Sequence, residues 1–237
     1  MVFDRDLALT WLGHATFKVK TPGGRILVID PWVSTNPACP ETMKSFDRID
    51  LMLVTHGHFD HMGDAVALAR KHQPDVVGIF ECCAWLEKKG VAKTHAMNKG
   101  GTQRVGEITI TMVHADHSSG IQDGYHLVYG GEAAGYVVTL ENGFKVYHAG
   151  DTNVFGDMRL IGELYAPDVA LLPIGSLYTM GPREAARAIE LLGVRRVVPM
   201  HYGTFPPLTG TPEELRKLTA HLPGVEILAL KPGETLT

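Results

Sequence analysis

Four side chains that commonly bind metals crowd into one six-residue segment of this 237-residue chain. Residues 56–61 read His-Gly-His-Phe-Asp-His and directly follow an apolar run at 51–54. On an extended backbone, residues i and i+2 project to the same side, so the first two histidines can bind one metal ion. The aspartate and the last histidine lie just beyond and can reach a second ion. The spacing predicts two adjacent half-sites that begin with His56, His58, Asp60 and His61.

Further candidate ligands follow later strand-like runs. His117 comes after 108–113, Asp151 after 144–147 and His201 after 195–199. Ends of strands are where open α/β folds place their ligands. A lone histidine at a strand end is more often a hydrogen-bonded packing residue than a ligand. Three such residues together with the 56–61 segment favour a metal centre instead.

Short β-rich runs alternate with helical patterns along the whole chain. The β-rich runs are 7–11, 16–20, 26–30, 51–55, 76–80, 107–114, 135–140, 144–148, 169–173, 197–200 and 225–230. The helical patterns are 64–72, 84–89, 157–164, 182–192 and 212–221. The first half reads sheet, helix, sheet, and the second half repeats that order. This predicts an α/β fold with αββα layers, two packed sheets with helices outside, in a single domain over 1–237.

Composition excludes several classes of protein. The net charge is −4 with scattered Lys and Arg, which disfavours a nucleic-acid partner. Neither a charged-then-apolar leader nor an apolar run long enough to span a bilayer is visible, so we expect a cytoplasmic protein without a membrane span. Cys39, Cys82 and Cys83 are odd in number and two are adjacent, which indicates free thiols. Monomer and homo-oligomer are both compatible with the sequence.

The order of these residues resembles the metallo-β-lactamase superfamily. Its hallmark is His-x-His-x-Asp-His followed by a distant His, a bridging Asp and a final His. Other segments resemble its branch of uncharacterised metal-dependent hydrolases, which is similar to ascorbate-6-phosphate lactonase and N-acyl phosphatidylethanolamine phospholipase D. These segments are 11–15, 28–31, 117–119, 147–152, 179–182 and 199–202.

The resemblance implies a four-layer αββα fold of two mixed sheets and a complete ligand set. The first metal would be held by His56, His58 and His117, the second by Asp60, His61 and His201, and Asp151 would bridge them. His114 competes with His117, which we prefer because the family-like Ser-Ser follows it and His114 stays inside a strand. His148 is expected to support the site rather than to bind metal.

Imidazole and carboxylate ligands suit zinc, with manganese or iron as alternatives. Two such ions about 3.5 to 4 Å apart share a water, lower its pKa toward about 7 and polarise a carbonyl or phosphoryl oxygen. Asp60 is the candidate catalytic residue that orients this water and passes a proton to the leaving group. Because the metals retain positive charge after ligation, we expect a small anionic ester, lactone or phosphodiester as substrate.

Four further residues are candidates to support the site or contact substrate. Asp30 could accept a hydrogen bond from the outer nitrogen of a ligating histidine. It could equally cap a turn before Pro31. The others lie beside the family-like segments, and ordinary packing is an alternative for each: His14, Thr179 and Tyr202.

Two other functions stay open at this stage. RNA-processing nucleases share the ligand set, but they need a surface that binds RNA, and no basic arm or aromatic-basic cluster is visible here. A metal-binding scaffold without activity would be expected to have lost at least one ligand. Asp151 argues against β-lactamases, and His58 argues against the oxygen-reducing di-iron relatives, which place an acidic residue there.

Overall fold

Two seven-stranded sheets form the centre of the molecule in a computed structural model that describes residues 6–237. The strands of the first sheet are β1 (Ala8–Trp11), β2 (Phe17–Lys20), β3 (Ile26–Ile29), β4 (Leu51–Leu53), β5 (Asp75–Ile79), β6 (Thr94–Met97) and β16 (Thr235–Leu236). Those of the second are β7 (Thr102–Val105), β8 (Ile108–His114), β11 (Ala134–Thr139), β12 (Lys145–His148), β13 (Val169–Pro173), β14 (Arg196–Met200) and β15 (Glu226–Ile227). A separate hairpin joins β9 (Gly120–Asp123) to β10 (His126–Tyr129).

The two sheets have the same internal plan. Their strand orders are β16-β1-β2-β3-β4-β5-β6 and β15-β14-β13-β12-β11-β8-β7. In the first sheet the pairs from β16 to β3 are antiparallel and those from β3 to β6 are parallel. In the second the pairs from β7 to β12 are antiparallel and those from β12 to β15 are parallel. The prediction of two mixed sheets is therefore confirmed.

Besides a 3₁₀ turn at Glu41–Met43, six α-helices complete the described part of the chain. They are α1 (Phe59–Met62), α2 (Ala65–His72), α3 (Phe80–Lys88), α4 (Met158–Tyr165), α5 (Pro182–Leu192) and α6 (Pro212–Thr219). In α5 the buried side chains recur at helical spacing at Ala185, Ala188, Ile189 and Leu192. Pro182 begins this helix, and Gly193 ends it with a left-handed φ of 63°.

The core lies between the sheets and continues under the helices. One buried cluster joins both sheets, from Leu51 of β4 to Met200 of β14, and includes Leu68 of α2 and Leu86 of α3. A second cluster packs the outer face of the second sheet against α4, α5 and α6. Such burial contributes about 25 cal/mol for each Å² of apolar surface removed from water. The order of layers is thus helix, sheet, sheet, helix, as predicted.

Some elements differ from the sequence prediction. The β-rich run at 76–80 ends at Ile79, and α3 begins at Phe80 rather than at 84, because Cys82, Cys83 and Leu86 share a buried helical face. Strands β6 and β7 were not predicted. Both lie at sheet edges and are partly exposed, so their sequences lack the apolar alternation that marks a buried strand.

The helices within residues 6–237 are short, and none is long and apolar enough to cross a membrane.

Candidate metal centre

The predicted ligands converge at one end of the two sheets. After β4 the chain bends at Gly57, is extended at His58 and then turns into α1, so His56 and His58 precede this helix while Asp60 and His61 lie within it. The remaining three follow strands of the second sheet: His117 comes after β8, Asp151 after β12 and His201 after β14. The structure therefore brings all seven sequence-predicted ligands together.

Three imidazoles form what we call the outer group: His56, His58 and His117. Their ligand atoms all lie within 4.8 Å of one another. His56 Nε2 is 3.0 Å from His58 Nδ1. Asp151 Oδ2 stands 4.0 Å from His56 Nε2 and 3.6 Å from His117 Nε2. An ion between these atoms would have three nitrogens and one carboxylate oxygen around it, the donor set of a tetrahedral zinc site.

Asp60, His61 and His201 form the inner group. Asp151 Oδ2 lies 3.2 Å from His61 Nε2 and 3.0 Å from His201 Nε2. Asp60 Oδ2 is 3.9 Å from the same His201 nitrogen. The Asp151 carboxylate is thus next to both groups, the position that a bridging ligand would occupy.

Several buried polar atoms in the centre lack a hydrogen-bond partner. His61 Nε2, His201 Nε2 and Asp151 Oδ1 have none within the described residues. Leaving such atoms unpaired costs about 1 to 3 kcal/mol each, so a stable protein needs something to satisfy them. Imidazole nitrogens and a carboxylate facing one another are the ligands that divalent ions such as zinc accept. The residues present fit a metal.

Electrostatics in the centre favour a cation. Burial alone would raise the pKa of Asp151, but His201 and His61 hold the pKa of this carboxyl well below its usual value. Burial alone would lower the pKa of His61, yet Asp151 and Asp30 raise it well above the usual value. Burial lowers the pKa of His56, which keeps that imidazole neutral. Ionised carboxylates and a neutral imidazole are the states that bind metal, and a metal would replace the proton of His61.

Asp30 supports the inner group from behind. Its Oδ2 accepts a hydrogen bond from His61 Nδ1 at 2.7 Å and another from the Thr55 hydroxyl at 2.7 Å. Its Oδ1 accepts from the Thr55 N–H at 2.8 Å. The contact with His61 is the one expected from the sequence, and it fixes the tautomer that turns Nε2 toward Asp151. Asp30 has a left-handed φ of 50°, a conformation that is costly for a non-glycine residue.

His14 holds Asp60 from the opposite side. Its Nε2 is 2.9 Å from Asp60 Oδ2, and its Nδ1 is 3.0 Å from the Thr204 hydroxyl. The backbone carbonyl of His14 accepts from the N–H of His201 at 3.0 Å. The hydrogen bond from His14 offsets the effect of burial and holds the pKa of Asp60 well below its usual value. His14 therefore contacts the candidate ligand Asp60, and its role as a support of the centre stays a prediction.

The structure places four other histidine, threonine or tyrosine candidates away from the ligands. His114 is exposed and contacts Lys99 and Phe155. His148 Nε2 donates to the carbonyl of Ala15 at 2.9 Å, which agrees with a supporting role. The Thr179 hydroxyl is directed to the carbonyl of Met180 at 3.4 Å. The ring of Tyr202 stacks on Trp11 with centroids 5.3 Å apart, and its hydroxyl reaches the carbonyl of Leu230.

Three residues at the mouth of the centre were missed by sequence reasoning. A cavity of about 300 Å³ opens over the ligands and is also lined by Phe59, Ser118 and Tyr178. Phe59 lies inside the ligand segment, but an apolar residue there gave no signal of its own. Tyr178 follows Ser176 and Leu177, which have left-handed φ values of 67° and 51°, and this backbone strain appears only in three dimensions.

Ser119 was also missed, although its segment was singled out. Its hydroxyl accepts from the N–H of Gly57 at 3.1 Å and donates to the carbonyl of Gly130 at 3.1 Å. A Cβ on Gly57 would lie 2.5 Å from Ile121 Cγ1, so this position requires glycine. The hairpin of β9 and β10 is thereby attached to the segment that carries His56 and His58.

Comparisons with known proteins agree with this architecture. Residues 25–202 match the model of the Beta-lactamase superfamily domain. The chain is 58% identical to a UPF0173 metal-dependent hydrolase of Koribacter versatilis over 98% of each chain. It is 49% identical to one of Methanopyrus kandleri, over 97% of this chain and 99% of the relative. The solved structure of Igni18, a metallo hydrolase from Ignicoccus hospitalis, has a TM-score of 0.86 and 37% identity, covering 97% of both chains.

The matched region contains six of the seven converging ligands in its middle and the seventh, His201, near its end. The relatives match over almost their whole length, so the similarity is not confined to the ligand segment. Fold, ligand order and relatives agree, and the chain belongs to the metallo-β-lactamase superfamily, within its UPF0173 group of metal-dependent hydrolases.

Proposed function

We propose that this protein is a two-metal hydrolase that cleaves a small ester, lactone or phosphodiester. The observation that carries the proposal is the position of one Asp151 oxygen, 3.0 to 4.0 Å from nitrogens of four histidines that belong to both ligand groups. Four imidazoles around one buried carboxylate exceed what a single tetrahedral ion needs. We assign the outer group to one ion, the inner group to another and Asp151 to the bridge.

When bound, two zinc, manganese or iron ions would supply an activated water at neutral pH and polarise the scissile oxygen. The residues of the chain would orient this water and transfer the proton. Asp60 faces the cavity and is held by His14, so its carboxylate can orient the attacking water and carry a proton toward the leaving group. His14 in turn is fixed by Thr204, which keeps its Nε2 directed at Asp60.

Charge and size also limit the substrate. Two divalent ions carry four positive charges, and the carboxylates of Asp60 and Asp151 remove two, which supports an anionic reacting group. Within residues 6–237, the side chains that line the cavity include no lysine or arginine, so this attraction would come from the metals themselves. A volume of about 300 Å³ accepts a small reacting group rather than a folded polymer.

The test combines metal content with activity. Purified protein reconstituted with zinc, manganese or iron should contain close to two ions per chain by elemental analysis. It should also hydrolyse members of a panel of lactones, phosphodiesters and thioesters. Asp60→Asn should lose turnover while the matched control His114→Ala keeps it, because His114 is exposed and lies away from the ligands. One ion or fewer per chain after reconstitution would remove the two-metal proposal.

A further inference from the structure

A second hollow adjoins the metal centre. It has a volume of about 460 Å³ and is lined in part by Gly120 of β9 and by Leu127, Val128 and Tyr129 of β10. His117 and Ser118 line both this hollow and the cavity over the ligands, so the two spaces meet at the outer group. We call it the hairpin groove. A molecule held at the metal centre would therefore lie next to the hairpin groove.

The wall of the hairpin groove is apolar and exposed. Leu127 and Tyr129 lie two residues apart on β10, so they project to the same face, and they are 75% and 69% exposed. The residue paired with Tyr129 across the hairpin is Gly120, and Leu127 leans over it, since a Cβ there would lie 2.7 Å from Leu127 Cδ1. The glycine at this point lets the Leu127 side chain pack directly over the backbone of β9.

This wall is also fixed in place. Asp123 at the end of β9 accepts hydrogen bonds from Trp85 Nε1 at 2.9 Å and Lys89 Nζ at 2.7 Å, both on or next to α3. Ile121 is buried against Gly57, and Ser119 joins the hairpin base to the ligand segment. Large apolar side chains exposed on a rigid support beside a reactive centre are typical of a binding site.

We propose that the hairpin groove is a substrate subsite that binds an uncharged alkyl or aryl group attached to the reacting ester, lactone or phosphodiester. The inference rests on the proposed hydrolase function and adds the chemical class of the group attached to the reacting bond. His117 and Ser118 line both the groove and the cavity over the ligands. We therefore expect part of the substrate, rather than a separate ligand, to occupy the groove. The carboxylate of Glu132 at the groove is paired with Lys99, so the groove presents little free charge to an apolar chain.

The test compares two metal-binding probes that differ only in chain length, acetohydroxamate and octanohydroxamate, by calorimetry on the metal-loaded protein. The longer probe should bind at least about tenfold more tightly, because several methylene groups leave water. Leu127→Asp should bring this ratio close to one. Leu164→Asp is the matched control, since Leu164 is 70% exposed on α4, and it should keep the wild-type ratio.

A second measurement separates this proposal from the hydrolase proposal. The neutral fluorophore Nile red should bind metal-free wild type and the Leu164→Asp variant, and binding should be lost in Leu127→Asp. That result supports the subsite even if neither hydroxamate binds and the two-metal proposal fails. The subsite proposal would be overturned if the wild type bound both hydroxamates with equal affinity. It would also be overturned if Leu127→Asp and Leu164→Asp showed the same ratio of hydroxamate affinities and the same binding of Nile red. Sedimentation showing a dimer that Leu127→Asp dissociates would overturn it as well, since a second copy would then cover the groove.

Discussion

The inner and outer ligand groups differ in how firmly the chain holds them. In the inner group His61 and His201 are buried, His61 is fixed by Asp30 and Asp60 by His14. In the outer group His56 is buried and its Nδ1 lies 3.0 Å from the Thr55 hydroxyl, but His58 and His117 are partly exposed. The partner of His58 Nε2 within residues 6–237 is Ser118 Oγ at 3.4 Å. A ligand set held by buried partners is already arranged for its ion, whereas an exposed set must be ordered by the ion itself. We therefore expect the inner ion to bind more tightly.

The largest effect is expected from Asp151, the residue common to both groups. Asp151→Asn keeps the size and one acceptor oxygen but removes the charge, so both ions should be held less firmly. Turnover should fall about 100-fold or more, because several kcal/mol of charge stabilisation are lost. The acidic limb of the pH profile, where the activated water loses its proton, should move to higher pH because that water becomes less acidic.

Circular dichroism on the Asp151→Asn variant controls for folding. If the variant kept both ions and near-normal turnover with an unchanged pH profile, Asp151 could not be the bridge, and the two groups would have to be treated as independent sites.

His117 tests the outer group alone. His117→Ala should lose one of two ions on dialysis against a weak chelator, because it removes an outer ligand and leaves the inner group intact. His114→Ala should retain both, since His114 contacts Lys99 and Phe155 instead. Metal loss confined to the His114 variant would show that the third histidine was placed wrongly.

A smaller effect is expected from the residues behind the ligands. Asp30→Asn should weaken binding of the inner ion about 10- to 100-fold, because the hydrogen bond that orients His61 is altered. Ser118→Ala should change binding of the outer ion far less, since its contact with His58 is long and exposed. Competition with a fluorescent zinc chelator measures both. Equal losses in the two variants would contradict the proposed difference between the groups.

The smallest effect is expected on the stability of the metal-free protein at acidic pH. Burial lowers the pKa of His14 from 6.5 to about 4. The hydrogen bond to Asp60 raises this pKa in part, and the nearby His201 and His61 lower it further. The unfolded chain therefore binds a proton at higher pH than the folded one, so this contribution to stability is complete above 6.5 and is lost as pH falls toward 4. His61 acts in the opposite sense, because its pKa is raised in the folded state. Its contribution to stability is therefore complete at pH values below the usual pKa of histidine and is lost as the pH rises.

Melting temperatures of chelator-treated protein between pH 7 and 4.5 measure this dependence. They should fall with decreasing pH, and the fall should be shallower in His14→Asn, which has no titrating imidazole at this position. An equally steep fall in the variant would assign the acid sensitivity to other buried groups.

Much of the candidate metal centre could be predicted from the sequence because its candidate ligands lie at the ends of strands. His117, Asp151 and His201 each follow a strand, and strand ends of a packed pair of sheets meet at one edge. Asp30, the residue after β3, was predicted with two equal alternatives, a hydrogen bond to a ligating histidine or a cap of the turn before Pro31, and the structure shows a hydrogen bond to His61. The αββα layers followed from alternating β-rich and helical patterns, whereas the mixed sheets were implied by the resemblance to the superfamily.

Other features depend on contacts that no local pattern encodes. The hairpin of β9 and β10 is exposed on all of β10, so its residues show no alternation of apolar and polar side chains. Tyr178 reaches the cavity only through two successive left-handed residues. Thr204 meets His14 across 190 positions of sequence, and Tyr202, although next to a ligand, packs on Trp11.

The contact between Gly57 and Ile121 has a consequence for engineering the substrate range. Exchanging the hairpin for one from another enzyme would also change the residue that packs on the backbone between His56 and His58. A bulkier residue at 121 would push on that backbone and displace two ligands at once, whereas a smaller one would leave a gap behind them. Libraries that vary Leu127 and Tyr129 while keeping Ile121, Ser119 and Gly57 would alter the groove without disturbing the segment that carries His56 and His58.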